Sequence, residues 1–152
     1  MARYFFDSSA LAKRYHPELG TAKVLSIFGE PGREIRISNL SFLEIQSVFG
    51  MKVRSGVISR SEAGVQRARL LADIAGGEIE VCSLTADLFT DAAQLIGRHS
   101  FSHRLRTLDA LQLAVAIGLS NQGLLDQFVV SDRALAEVAV MEGLIVLNPE
   151  VP

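Results

Sequence analysis

The sequence predicts an α/β fold, with a mostly parallel five-stranded sheet covered by helices on both faces. Short runs rich in aromatic and β-branched residues alternate with longer segments of helical periodicity, the pattern of βα units around a parallel sheet. One segment, Leu108–Leu119, is apolar nearly all round, as a buried helix is. Prolines fall only at 17, 31, 149 and 152, and no repeat or low-complexity stretch appears, so residues 1–152 read as a single domain.

The elements follow in order. Arg3–Asp7 is a short aromatic strand ended by Ser8 and Ser9, either of which can cap a helix over Ala10–Tyr15. His16-Pro17 interrupts that helix. A second covers Gly20–Gly29, with Val24, Leu25 and Phe28 on one face. After the Pro31-Gly32 turn, Glu34–Ser38 alternates Ile35 and Ile37 with charged residues as strand two. Leu40–Arg54 and Ser59–Ala75 form a helical pair, closed by Gly76-Gly77. Glu78–Ser83 is strand three. Thr85–Arg98 is amphipathic through Leu88, Phe89, Ala92, Leu95 and Ile96. A basic loop leads to the Leu108–Leu119 helix. Phe128–Ser131 is strand four, Arg133–Glu142 a helix and Leu144–Leu147 strand five.

Hydrophobic residues make up 49% and charged residues 21% of the chain, a globular balance. No apolar run approaches the length of a membrane span, and Asp7 follows Arg3 too closely for a signal peptide, so a cytoplasmic location is expected. Cys82 is alone, which excludes an intrachain disulfide and a cysteine-built metal site. A formal charge of −2 does not announce a nucleic-acid binder, but a local basic rim would suffice for one. Lys13, Arg14, Lys52, Arg54 and the Arg98–Arg106 stretch, with Arg104 and Arg106, are the candidates for that rim.

Four acids fall where a parallel sheet would gather them. Asp7 ends strand one and Asp132 follows strand four. Glu44 lies in the second turn of the helix after strand two, and Asp109 opens the helix that returns the chain to strand four. Ligands of such sheets sit beyond the carboxyl ends of the strands. Singly, Asp7 and Asp132 could be helix caps and Asp109 a first-turn acid. Glu44 shares a face with Leu40, Val48 and Met51, where a lone glutamate would be costly to bury. Taken jointly, converging carboxylates imply a cation, and an all-oxygen set suits Mg²⁺ or Mn²⁺. Glu18, Glu30, Asp73 and Glu142, among other acids, fit solvated helix faces, and Asp126 belongs at the opposite sheet edge. His16, His99 and His103 show no metal-ligand spacing and read as loop residues, His103 as a secondary candidate for substrate contact.

The segments Tyr4–Leu11, Ser38–Ile45, Leu105–Ala114 and Phe128–Leu135, with the closing Ala139–Pro149, together resemble PIN-domain ribonucleases, in particular the VapC-type toxins of toxin–antitoxin pairs. The likeness runs over essentially the whole chain in the family's order. It implies a three-layer α/β/α sandwich and Mg²⁺- or Mn²⁺-dependent endoribonuclease activity, with Asp7, Glu44, Asp109 and Asp132 as metal-site and catalytic acids. It implies that Ser8 or Ser9, and Ser131, support the site. A homodimer and a partner antitoxin whose tail covers the acidic groove are further implications. Many relatives carry another acid two positions after the last, where this chain has Ala134, so one well-occupied metal site is expected.

Asp7 and Asp109 are then the expected direct ligands, with Glu44 and Asp132 acting through water or as proton acceptors. Single-stranded or looped RNA is the expected substrate, because its bases can be splayed and read. A haloacid-dehalogenase phosphatase would need an acid at position 9, which is Ser9. A receiver domain would need a lysine after its last strand, yet the final lysine is Lys52. The remaining alternative is a non-catalytic PIN-like module that binds RNA or protein.

Overall fold

A computed structural model describes residues Met1–Pro152. The strands are β1 (Arg3–Phe6), β2 (Glu34–Ser38), β3 (Glu80–Cys82), β4 (Gln127–Val129) and β5 (Val146–Leu147). The helices are α1 (Ser8–Tyr15), α2 (Thr21–Phe28), α3 (Asn39–Arg54), α4 (Arg60–Ala75), α5 (Ala86–His99), α6 (Thr107–Asn121) and α7 (Arg133–Met141). The sheet runs β3-β2-β1-β4-β5 and every pairing is parallel. The chain winds outward from β1 to β3 and then returns to β4 on the other side of β1. The β1/β4 boundary is therefore the topological switch point, where the crevice of an open α/β sheet lies.

Side-chain alternation on β1 divides the core. Tyr4 and Phe6 pack with residues of α1–α4, including Leu11, Ile27, Ile45 and Leu70. Phe5 points to the other face and joins Phe128 of β4 and Leu95, Leu113 and Leu135 of α5, α6 and α7. Two hydrophobic layers of similar size thus enclose the sheet, which is the expected sandwich. The apolar helix α6 buries every residue from Ala110 to Ala116. No helix is long and apolar enough to cross a membrane.

The strands are shorter than the hydrophobic runs that announce them. Val130 is fully buried and donates to the Leu147 carbonyl, yet lies beyond the end of β4. Hydrophobicity marks burial, and burial continues where the ladder stops. Gly20 adopts φ +91 at the start of α2, where a Cβ would meet the Pro149 carbonyl at 3.0 Å. Glycine is required there both by backbone conformation and by space. At the amino edge of the sheet Arg3 grips Asp126 (Nη2–Oδ1, 2.7 Å) and holds its carboxyl down to about 2. Asp126 lies opposite the acids that follow β1 and β4, as expected.

Four assignments are corrected. His99 is no loop residue: it ends α5, is buried, and bonds Glu142 through Nε2 at 2.7 Å. Glu142 is therefore engaged rather than solvated, and Asp73 likewise accepts from Arg14 and from the Tyr15 hydroxyl. The apolar face assigned to Glu44 is also displaced. The buried stripe of α3 is Ser41, Ile45 and Phe49, whereas Met51 is exposed, so Glu44 borders the core instead of lying within it.

Candidate active site

Asp7 follows β1 directly, and its N–H donates to the Val129 carbonyl, which fixes it beside the end of β4. It is buried and caps α1, with Oδ2 accepting from Ser9 Oγ at 2.6 Å and from Ser9 N at 3.3 Å. Ser9 Oγ in turn accepts from the Ser131 N–H at 3.3 Å, which ties the loop after β4 to the start of α1. Ser8 Oγ donates to Glu44 Oε2 at 3.1 Å and so links α1 to α3. Asp109 lies in the first turn of α6 and accepts from the Arg106 N–H and Nε. Asp132 caps α7 by accepting from Leu135 N at 3.0 Å.

Three of the four acids therefore do hold helix starts, and the same positions bring them to one sheet edge. The capping and functional interpretations coexist, because the N-terminus of a helix stabilises negative charge. Burial pushes the Asp7 carboxyl up, against the Ser9 hydrogen bonds, and the charge of Asp109 adds to the rise. Burial also raises Glu44, followed by the charge of Asp7; Ser8 opposes, and Asp109 adds a smaller push. Asp7, Glu44 and Asp109 thus share one electrostatic neighbourhood. Glu44, Arg106, Thr107, Leu108 and Asp109 line a cleft of about 310 Å³.

Two polar atoms of this region have no partner despite being buried: Glu44 Oε1 and Ser131 Oγ. Buried polar atoms are ordinarily satisfied, so these two favour a ligand that accepts or donates there. The donor set is oxygen throughout, which fits a hard divalent cation. As arranged, however, no three acidic, histidine or cysteine side chains converge on one metal position. Two of the acids pair with arginine. Arg106 bonds Asp109 at 3.2 Å and approaches Asp132 at 3.5 Å, and Arg104 reaches Asp132 at 3.4 Å.

Lys13, Lys52 and Arg14 are engaged elsewhere. Lys13 is buried and pairs with Glu150 and Glu18, and Lys52 also reaches Glu18. Arg14 bonds Asp73 and lies over the Phe28 ring, 3.9 Å from its centroid. Arg104 and Arg106 are the two that stand at the acidic edge. His103 bonds Ser102 in the turn before Arg104.

Sequence reasoning missed Gln112. It is buried in α6, accepts from Ser38 Oγ at 2.7 Å and donates to Ser41 Oγ. Gln112 lies one turn after Asp109, and Ser41 one turn before Glu44, so this bond fixes α6 against α3. The available signal was a lone amide inside an apolar run, which requires a buried partner.

A parallel α/β sandwich with carboxylates at its switch point is the class of protein these features define. The sequence pattern of the PIN domain matches residues 4–141. The chain belongs to the PIN-domain family. No curated protein sequence matches it. Among solved structures it is similar to Mycobacterium tuberculosis VapC20, described as a sarcin-ricin loop cleaving toxin (19% identity, TM-score 0.66, 97% of this chain and 98% of that one). It also resembles FitAcB from Neisseria gonorrhoeae (14%, TM-score 0.65, 96% and 97%). A third is Rickettsia felis VapBC2 bound to a DNA fragment from its promoter (15%, TM-score 0.62, 95% and 97%). At these identities the likeness establishes the fold.

Proposed function

We propose that the protein is a divalent-metal-dependent endoribonuclease and the toxin of a toxin–antitoxin pair. The observation that carries this is the grouping of Asp7, Glu44 and Asp109 at the switch point, with Glu44 Oε1 buried and unpartnered. Asp7 and Asp109 would hold Mg²⁺ or Mn²⁺ directly, with Asp132 and Glu44 completing the set. The chemistry such an ion supplies is a lowered pKa for its water and charge neutralisation on the phosphoryl oxygens. Glu44, raised by burial and by Asp7, is suited to accept the proton of the attacking water. Ser9 fixes the Asp7 carboxylate, and Ser8 fixes one oxygen of Glu44. Arg104 and Arg106 would meet the RNA backbone.

The similarity to structures described as toxins and toxin–antitoxin complexes supports an antitoxin partner; an RNA-cutting toxin would act in the cytoplasm, with its substrate. Exposed Leu43, Met51, Val57, Val65 and Leu71 on and between α3 and α4 supply apolar surface for a homodimer or that partner. Light scattering should find a dimer at micromolar concentration, and a monomer throughout would contradict it.

A non-catalytic RNA-binding module is favoured by one observation, the occupation of Asp109 and Asp132 by arginine. Growth on induction separates the two. The wild type should arrest growth, while Asp7→Asn and Asp109→Asn should not. If those variants arrest growth as strongly as the wild type, the acidic cluster is not the active site.

A further inference from the structure

Arg106 spans the acidic edge. Its Nε donates to Asp109 Oδ2, and its terminal nitrogen lies within 3.5 Å of Asp132 Oδ2. It also lines the cleft that contains Glu44. The carboxylates that a cation would need are therefore already neutralised, in part, by a guanidinium of the same chain. That guanidinium remains 63% exposed and is free to leave, since exposed ion pairs are weak and exchange readily. Its planar fork matches a phosphate as well as it matches a carboxylate.

We propose that Arg106 is an internal counter-ion of the acidic site, which a divalent cation displaces and a substrate phosphate then captures. The inference rests on the metal-dependent nuclease reading and adds a regulation to it. In the free protein Arg106 restrains metal binding. Any phosphodiester that draws the guanidinium off Asp109 and Asp132 strengthens metal binding, and by reciprocity the metal strengthens RNA binding. The site is thereby loaded most fully when both are present. Arg104 touches Asp132 alone and lacks the second acid, so its restraint is smaller.

Calorimetric titration with Mn²⁺ alone tests this. Arg106→Gln should bind Mn²⁺ about two- to fivefold more tightly than the wild type, the scale of an exposed ion pair. Arg60→Gln, an equal charge change at an exposed position that opens α4, should leave the affinity unchanged. A short deoxyoligonucleotide should tighten Mn²⁺ binding to the wild type more than to Arg106→Gln. If the wild type binds Mn²⁺ and Arg106→Gln binds it equally or more weakly, the counter-ion role is overturned while the metal site stands. If neither the wild type nor Arg106→Gln binds Mn²⁺, with or without the oligonucleotide, both are overturned.

Discussion

Asp7 shows how the proposed site weighs against stability. Burial holds its carboxyl above the ordinary 3.8, so the folded protein keeps a proton that the unfolded chain releases from that pH upward. Stability therefore falls as pH rises above 3.8, and the penalty is complete once the folded group has ionised. Glu44 acts in the same direction from its ordinary 4.5. Asp7→Asn removes the ionisation and can still cap α1. The variant should melt at a higher temperature than the wild type at about pH 7, with a smaller advantage at about pH 4. An advantage that is absent at neutral pH would contradict the burial argument. At this scale the sequence showed Asp7, Glu44, Asp109 and Asp132, because an acid after a strand or in a first helical turn has a recognisable position. It could not show that Lys13, Arg14 and Lys52 are engaged by Glu150, Asp73 and Glu18, since those partners lie 137, 59 and 34 residues away in the chain.

Elements were legible wherever hydrophobic periodicity is long. All twelve were recognisable, and β2 runs from Glu34 to Ser38 as expected. The ends of β3, β4 and β5 were less so, because apolar residues such as Leu144 and Val130 serve the core from outside the ladder. Coupling between elements was the least visible feature. Ser38, Ser41 and Gln112 clamp α3 to α6, and a polar residue in each helix gives no sign of its partner. Gln112→Leu keeps the volume but leaves two buried hydroxyls without that amide. It should destabilise the fold by about 2 kcal/mol, the usual scale for unsatisfied buried groups. Denaturant titration measures this. Combining Gln112→Leu with Ser41→Ala should cost less than the sum of the two changes, because both remove the same bond. Strict additivity would mean that the clamp carries no energy.

For the whole molecule, the wound order β3-β2-β1-β4-β5 converts four acids scattered from residue 7 to residue 132 into one edge. The alternation of strands and helices foretold that edge, since a parallel sheet places every strand's carboxyl end on the same side. Arg104 and Arg106 were legible as candidates for a basic rim, but their pairing with Asp109 and Asp132 was not, because a basic loop before a helix gives no sign of its partners. The central claim is that this edge is a metal-dependent catalytic site for RNA. It is tested most directly by cleavage of a single-stranded RNA by purified protein, with Mn²⁺ or with excess chelator, alongside binding of the same RNA. The wild type should cleave with Mn²⁺ and stop with chelator, while Asp109→Asn should bind the RNA but not cut it. Cleavage that persists in chelator, or in Asp109→Asn with Mn²⁺ present, would contradict it.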